Sequence, residues 1–389
     1  MSGYLLVPFP LHGHVNPMVA VAEELVRRGE PVTVAVSAGF AEPFAAAGCA
    51  IVELDIRARE RIPEQQDLRY KLGGLRRAWD IVAERFRLTE VLGRVVEDLN
   101  PDAVVTDIMA IWGIKAAEAN DVPFVSFYVT YALSEEILLS DVDRKFGPRM
   151  KTLARWSGIA RIQPGLRRRV TAHAAMALVN VVSELQPMRW SFDGRFRFVG
   201  PLQRGSSVGY EGGDLPWDRI RSGPTAYVST GTLFTRGAEY FRRVAEGFAG
   251  SGWCVVMATS HTDPAELGVL PENVVARRYV PQSEVLAHSD VFVTHAGMNS
   301  AMEGLALGIP MVLVPRAYDQ RGIARQIASL GAGEIVAATA AASEFREAAD
   351  RVHGDERMRA TLDELSASVR GAGGAGAAVD ALQKLTANR

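Results

Sequence analysis

The sequence has few cysteines. Among its 389 residues only Cys49 and Cys254 are cysteines, and they lie in different halves of the chain. A disulfide framework needs more cysteines at closer spacing, and a structural zinc site needs about four clustered ligands. We therefore expect neither, and we expect both cysteines to be small core residues.

The chain also lacks a charge excess and a long apolar run. Its 43 Lys and Arg residues nearly cancel its 45 Asp and Glu residues, for a net charge of −2, which argues against a nucleic-acid partner. No run approaches the 18 or more apolar residues of a membrane span. The N-terminal YLLVPFPL has two prolines and no basic start, so it makes a poor signal peptide. We expect a cytoplasmic protein without integral membrane association.

What the sequence does have is a repeated alternation of strands and helices. YLLVPF, PVTVAVS, DAVVTD and PFVSFYV are short buried strands separated by helical segments, and the same alternation restarts at TAYVSTG. This pattern is typical of α/β domains with doubly wound parallel sheets. A segment rich in Gly, Pro and Ser separates the two series and indicates a linker.

The sequence thus predicts two Rossmann-like domains. We place the N-terminal domain at 1–203, the linker at 204–222 and the C-terminal domain at 223–368. Residues 369–389 are expected to form a C-terminal helix that packs back on the N-terminal domain. The carboxyl ends of the two sheets would then face each other across a ligand-binding cleft.

Two short motif matches do not fit their structural context. GAGGAG at 371–376 matches a dinucleotide fingerprint, but it follows a helical stretch rather than a strand. GSSVG at 205–209 matches a nucleophile elbow around Ser207, but it lies in the predicted linker. We expect neither to be a functional site.

The most informative block is the stretch from Tyr279 to Gln320. Its centre, FVTHAGMNSAMEG, predicts a strand, a glycine turn and a helix that begins near Asn299 and Ser300. Such a helix N-terminus can bind a phosphate, with His295 beside it and Glu303 one turn further. STGT at 229–232 would form a second turn against the same diphosphate. From the spacing alone, an ordinary capped strand–helix turn stays equally open.

This block resembles the C-terminal signature of family 1 glycosyltransferases, the UDP-sugar-dependent enzymes of GT-B architecture. In that family the block runs approximately W-x-P-Q, H-x-G-x-N-S, E and D-Q, and GHVNP near the N-terminus resembles the family's N-terminal element. The bacterial branch that glycosylates macrolides and other natural products is the most similar. The resemblance implies a GT-B fold, in which two Rossmann-like domains face each other across a cleft.

The resemblance also implies a role for each residue of the block. Tyr279 would stack on the nucleobase, Val280 or Gln282 would meet the edge of the base, and Glu303 would bind the ribose. Asp319 and Gln320 would bind hydroxyls of the donor sugar. The residues expected at the diphosphate are Thr230, Gly231, Thr232, His295, Gly297, Asn299 and Ser300.

The sequence departs from the family pattern at a few positions. Plant members have tryptophan where Tyr279 and Met298 stand, and many members have Asn-Ala where this chain has Ile323 and Ala324. These differences leave the choice of donor open.

A catalytic base is expected in the N-terminal PFPLHGHVNPM. A neutral histidine can remove a proton from an acceptor hydroxyl near neutral pH, and a carboxylate on its other ring nitrogen orients it. The resemblance assigns the base to His14 and the partner to Asp107, which ends the strand DAVVTD. His12 is the rival base. A metal-binding His-x-His pair is disfavoured because no further ligand accompanies it.

We therefore predict an inverting, metal-independent glycosyltransferase with no cofactor. It would move a hexose from a UDP or dTDP sugar to a hydroxyl of a lipophilic small molecule, acting as a monomer or homodimer. A nucleotide-sugar epimerase of the same architecture and a non-catalytic nucleotide-sugar-binding helper are the alternatives.

The acceptor would be bound by loops of the first domain around 55–90 and 130–175. Two readings stay open for the basic segment 143–169, namely a solvated helical face or a contact with an anionic acceptor or a membrane. The aromatic residues Trp112, Phe127, Tyr128 and Tyr131 could line an acceptor pocket or belong to the core.

Overall fold

The structure is a computed structural model of the chain. It describes residues 3–56, 74–134, 136–137, 139–140, 144, 147–156, 173–202, 215–231, 236–316 and 318–387. The chain divides into two compact units, one formed by Met1–Arg204 with Ala372–Arg389 and the other by Gly205–Gly371. The C-terminal segment is thus part of the first unit.

The first unit is built on a seven-stranded parallel sheet with the order β3-β2-β1-β4-β5-β6-β7. Its strands are β1 Tyr4–Val7, β2 Val32–Val36, β3 Ala50–Glu53, β4 Ala103–Asp107, β5 Phe124–Tyr128, β6 Met176–Val179 and β7 Phe196–Phe198. Each residue of β1 and β4 is buried, as expected for central strands covered by helices on both faces.

The second unit has a six-stranded parallel sheet with the order β10-β9-β8-β11-β12-β13. Its strands are β8 Thr225–Ser229, β9 Cys254–Ala258, β10 Val274–Arg277, β11 Val291–Thr294, β12 Met311–Leu313 and β13 Gly333–Ile335. The prediction of two parallel α/β sheets is confirmed.

Helices connect the strands. They are α1 His12–Arg27, α2 Glu42–Ala46, α3 Gly74–Leu99, α4 Ile111–Ala119, α5 Pro148–Trp156, α6 Trp217–Ser222, α7 Ala238–Gly247, α8 Gln282–Leu286, α9 Met298–Ala306, α10 Tyr318–Ser329, α11 Ala342–Gly354, α12 Glu356–Gly371 and α13 Gly374–Ala387. Within the described ranges, no helix is long and apolar enough to cross a membrane.

Three helix starts locate predicted residues and segments. α1 begins at His12, so His14 lies inside its first turn. α9 begins at Met298, beside the start predicted near Asn299 and Ser300. The short α6 lies within the segment read as a linker; its Ile220 is buried, and this apolar contact accounts for the helix there.

The last helix, α13, packs against α1. Arg28 at the end of α1 pairs with Asp380 at 2.5 Å and donates to the side chain of Gln383 at 2.9 Å. The Tyr4 hydroxyl in β1 lies 3.0 Å from the Thr386 hydroxyl. These contacts attach the end of the chain to the helix that carries His14.

In both sheets the chain reverses its direction of winding beside the first strand. β1 lies between β2 and β4, and β8 lies between β9 and β11. In open parallel sheets, ligands bind at the carboxyl ends of the strands at such a switch point, because the connections on the two sides leave a crevice. The predicted catalytic pair lies at the switch point β1/β4, and the predicted phosphate-binding turns lie at the switch point β8/β11.

Candidate functional site

The first switch point brings His14 and Asp107 together. The Nδ1 atom of His14, in the first turn of α1, lies 2.7 Å from Oδ2 of Asp107, the last residue of β4. β1 pairs with β4 along the whole strand, so the helix that follows β1 starts beside the end of β4. The pairing of these two side chains is therefore a product of the strand order.

Asp107 is a fully buried carboxylate, with 0% of its side chain exposed. Burial of an unpaired carboxylate would be unfavourable, and each of its two oxygens accepts a hydrogen bond. Oδ1 accepts the backbone N–H of Met109 at 2.8 Å, while Oδ2 accepts the Nδ1–H of His14. The carboxylate thereby holds the proton of His14 on Nδ1 and leaves a lone pair on Nε2, the arrangement that a general base requires.

His14 is partly open to solvent, with 17% of its side chain exposed. Its ring makes an edge contact with the ring of Phe9, with 5.7 Å between the ring centres. The ring centres of Phe9 and Trp112 are 6.0 Å apart. His12 instead packs its ring against Phe40 at 4.9 Å. The structure thus pairs the buried carboxylate with His14 and not with its rival.

The second switch point forms a turn around His295. A Cβ atom added at Gly297 would lie 2.3 Å from Nε2 of His295, and one added at Gly231 would lie 2.6 Å from the same atom. Gly231 also has a φ of +73°, which favours glycine. Both glycines are therefore needed for the imidazole to lie in this turn.

The Nδ1 atom of His295 is buried and has no hydrogen-bond partner among the described residues. Burial lowers the pKa of His295 to about 4, a shift opposed by a backbone hydrogen bond with Ser229 and by the charge of Asp319. The ring is thus neutral near pH 7. A buried N–H without an acceptor is rarer than a buried acceptor without a donor, which favours the tautomer that carries its proton on Nε2.

α9 begins directly after this turn, with Gly297 as its N-cap. Asn299 and Ser300 lie in its first turn, where backbone N–H groups are not used by the helix. The Thr230 hydroxyl, at the end of β8, is also buried without a partner among the described residues. Thr232 lies outside the described residues.

Glu303, one turn further along α9, joins a chain of partly buried hydrogen bonds. Its Oε2 accepts the side-chain N–H of Gln282 at 2.7 Å, and the Oε1 of Gln282 accepts the Tyr227 hydroxyl at 3.2 Å. Burial raises the pKa of Glu303, while the bond from Gln282 lowers it. The structure therefore joins a residue predicted at the base edge to the residue predicted at the ribose.

The other residues predicted to bind the nucleotide sugar differ in exposure. Tyr279 is 56% exposed and can stack on a flat ring, and Val280 follows it at the start of the YVPQ loop. Asp319 is exposed on α10, whereas Gln320 is only 5% exposed and its Oε1 accepts the backbone N–H of Arg316 at 2.9 Å. The side-chain oxygen of Gln320 thus already serves the turn before α10.

The acceptor side is only partly described. Trp112, Phe127 and Tyr128 are buried core residues, and the Tyr131 hydroxyl is buried without a partner among the described residues. Most of the basic segment 143–169 and much of 55–90 lie outside the described residues. In the part of the chain that is described, no three His, Cys, Asp or Glu side chains lie close enough together to hold a metal ion.

Sequence reasoning missed three groups that shape these sites. They are the backbone N–H of Met109, the Tyr227 hydroxyl and the guanidinium of Arg236, which donates to the Val314 carbonyl oxygen at 2.6 Å. A tyrosine within the strand TAYVS was the one available signal, because a buried tyrosine hydroxyl usually needs a partner.

Comparison with known proteins gives the same assignment for both units. Residues 218–368 match the family described as "UDP-glucoronosyl and UDP-glucosyl transferase". The chain is 29% identical to the NDP-glycosyltransferase YjiC of Bacillus licheniformis, over 97% of this chain and 96% of that protein. It is also similar to the crystal structure of CalG4, the calicheamicin glycosyltransferase, with a TM-score of 0.82, 28% identity and coverage of 99% of this chain and 98% of that one.

The similarity is not confined to the second unit. The demethyllactenocin mycarosyltransferase of Streptomyces fradiae is 31% identical to this chain, over 97% of it and 85% of that protein. The GT-B architecture expected from the sequence is confirmed by the structural match. Because the likeness extends over both switch points and nearly the whole of each chain, this protein belongs to the UDP-glucoronosyl and UDP-glucosyl transferase family and is a glycosyltransferase.

Proposed function

We propose that the protein is an inverting, metal-independent glycosyltransferase that moves a hexose from a UDP or dTDP sugar to a hydroxyl of a lipophilic small molecule. The observation that carries this proposal is the 2.7 Å contact of His14 with the buried Asp107. A helper protein that only bound the nucleotide sugar would have no use for a base with an oriented imidazole. An epimerase would not need a hydroxyl acceptor.

In the proposed reaction His14 acts as the general base. Its Nε2 takes the proton of the acceptor hydroxyl, the oxygen forms a bond to the anomeric carbon, and the bond from that carbon to the diphosphate oxygen breaks. Asp107 stabilises the imidazolium that forms. Single displacement of this kind inverts the anomeric carbon, since no covalent intermediate precedes it.

The leaving diphosphate would be stabilised by the second switch point. The first turn of α9 offers backbone N–H groups and the positive end of the helix dipole, and His295 adds a neutral N–H donor. Tyr279 would stack on the base, with Val280 and Gln282 near its edge, and Glu303 would accept from the ribose. Asp319 and Gln320 would bind the donor sugar, and Thr232 would complete the phosphate turn.

The relatives support a natural-product acceptor. Their names describe transfer in macrolide and antibiotic pathways, as in the demethyllactenocin mycarosyltransferase and the oleandomycin glycosyltransferase of Streptomyces antibioticus, 31% identical over 96% of this chain and 88% of that protein. We propose that the acceptor of this protein is of the same macrolide, polyketide or phenolic type. A cytoplasmic location and a monomeric or homodimeric state stay predictions.

The test is a panel of UDP and dTDP sugars with macrolide and phenolic acceptors, read by product mass and donor consumption. We expect a product heavier by one hexose or deoxyhexose unit, formed with inversion. Isomerised donor without product would support the epimerase instead. Tight nucleotide binding without turnover of any pair would support the helper protein.

A further inference from the structure

Arg236 reaches across the carboxyl edge of the second sheet. It follows β8 in the chain, and its Nη2 donates to the carbonyl oxygen of Val314, which directly follows β12. β11 lies between β8 and β12 in the sheet, and the backbone N–H of Val314 donates to the carbonyl of Thr294 at 2.7 Å. The guanidinium therefore lies beside the end of β11, where the His295 turn begins.

Two contacts hold the guanidinium of Arg236 and a third holds its backbone. Its guanidinium carbon lies 5.0 Å from the ring centre of Tyr240. Its own backbone carbonyl accepts the Thr262 hydroxyl at 3.1 Å, and the Val314 carbonyl takes one N–H. A guanidinium has five N–H donors in a fixed planar fork, so this anchoring leaves donors for a ligand.

The charge of Arg236 has no carboxylate partner among the described residues. Burial lowers the pKa of Arg236, and the nearby charge of Arg316 lowers it further, whereas Tyr240 raises it. Arg236 lies close enough to His295 for its charge to lower the pKa of that ring, against the effect of Asp319, which raises it. A partly buried cation without an anion is unfavourable, and a bound anion would relieve the cost.

We propose that Arg236 supplies the positive charge that holds the donor's diphosphate and stabilises it as the leaving group. This rests on the proposed function. A guanidinium suits the task because its fork donates two parallel hydrogen bonds to phosphate oxygens. It would also neutralise negative charge of the diphosphate, which a neutral His295 cannot do.

The test compares ligands that differ in phosphate charge. Binding of UDP, dTDP and uridine is measured by calorimetry for the wild type, Arg236→Gln, Arg236→Lys and the control Arg243→Gln. Arg243 lies in α7, seven residues after Arg236, and also donates to a backbone carbonyl, that of Ala338. We expect Arg236→Gln to weaken the diphosphates about tenfold to a hundredfold, with uridine and the control variant changed less than about twofold.

The lysine variant keeps the charge but loses the fork. We expect it to bind UDP more tightly than the glutamine variant and less tightly than the wild type, with uridine unchanged. If the glutamine variant does not fold, the ratio of UDP to uridine affinity in the lysine variant decides the question. An equal loss of affinity for UDP and uridine, or no loss of affinity for UDP, would show that Arg236 has only a structural role in stabilising the backbone. If the wild type bound neither UDP nor dTDP, the proposed function itself would fail, whatever the variants did.

Discussion

Asp107→Asn tests the assignment of the base most directly. The substitution keeps the size of the side chain and removes one proton acceptor. Met109 needs an oxygen at its N–H, so the new amide would place its oxygen there and its NH₂ against His14. His14 would then have to accept on Nδ1, and its proton would move to Nε2, where the imidazole could no longer take a proton from the acceptor.

The expected loss is therefore the whole contribution of general-base catalysis. That contribution is typically about 10²–10⁴ in rate, or roughly 3–5 kcal/mol. We expect kcat for sugar transfer to fall by this factor, while the affinity for UDP, which we propose to be bound by the second unit, changes less than about twofold. The assay is initial rates with the donor and acceptor pair from the panel, together with calorimetry of UDP.

The matched control is Asp121→Asn, the same change at an exposed turn residue with a φ of +55° that asparagine tolerates. It should leave kcat unchanged. His14→Ala should reduce kcat as much as Asp107→Asn, and the double variant should lose little more than either, because the two residues act as one unit. Additive losses, or a kcat within about threefold of the wild type for Asp107→Asn, would refute the reasoning.

Three further predictions concern the second unit. Gly297→Ala would push its Cβ into the His295 ring, at 2.3 Å from Nε2, and should weaken UDP binding about tenfold. The control Gly252→Ala has open space around the added Cβ and should leave UDP affinity unchanged. Equal UDP affinities of the two variants would argue against the turn as the phosphate site. Glu303→Gln removes the charge that would accept from the ribose and should weaken UDP about tenfold with little effect on inorganic diphosphate; unchanged UDP affinity would remove the ribose assignment. Finally, the lowered pKa of His295, about 4 against 6.5 in the unfolded chain, means that the unfolded state binds the extra proton between these values. The wild type should therefore lose up to about 3 kcal/mol relative to His295→Gln as the pH falls from 6.5 to 4, measured by urea unfolding; a constant difference would contradict the burial of the ring.

The sequence predicted the positions of the motifs because their signals are local. A valine-rich strand, a glycine turn and a helix start are all contained in FVTHAGMNSAMEG, and the structure shows the three elements there. The fold and the enzyme class followed from the order of such units and from the resemblance of two separated motifs. His14 and Asp107 could be named before their 2.7 Å contact was seen.

The parts that escaped prediction depend on contacts between distant positions. Arg236 contacts Val314, 78 positions away, and Gln282 contacts Glu303, 21 positions away. No local pattern marks either pair, since arginines and glutamines occur on any exposed surface.

The proposed mechanism gives the same residue type opposite roles at the two switch points. Nδ1 of His14, in the first turn of α1, donates to a buried carboxylate, whereas Nδ1 of His295, directly after β11, has no partner among the described residues. In the proposed reaction the carboxylate leaves Nε2 of His14 as an acceptor and stabilises the charged ring, so that this histidine acts as the base. Burial keeps the ring of His295 neutral near pH 7, so that this histidine would act as a hydrogen-bond donor to the diphosphate. The proposed difference in role therefore depends on whether a buried carboxylate faces Nδ1, and Asp107 faces His14 because β4 pairs with β1 and ends beside the start of α1.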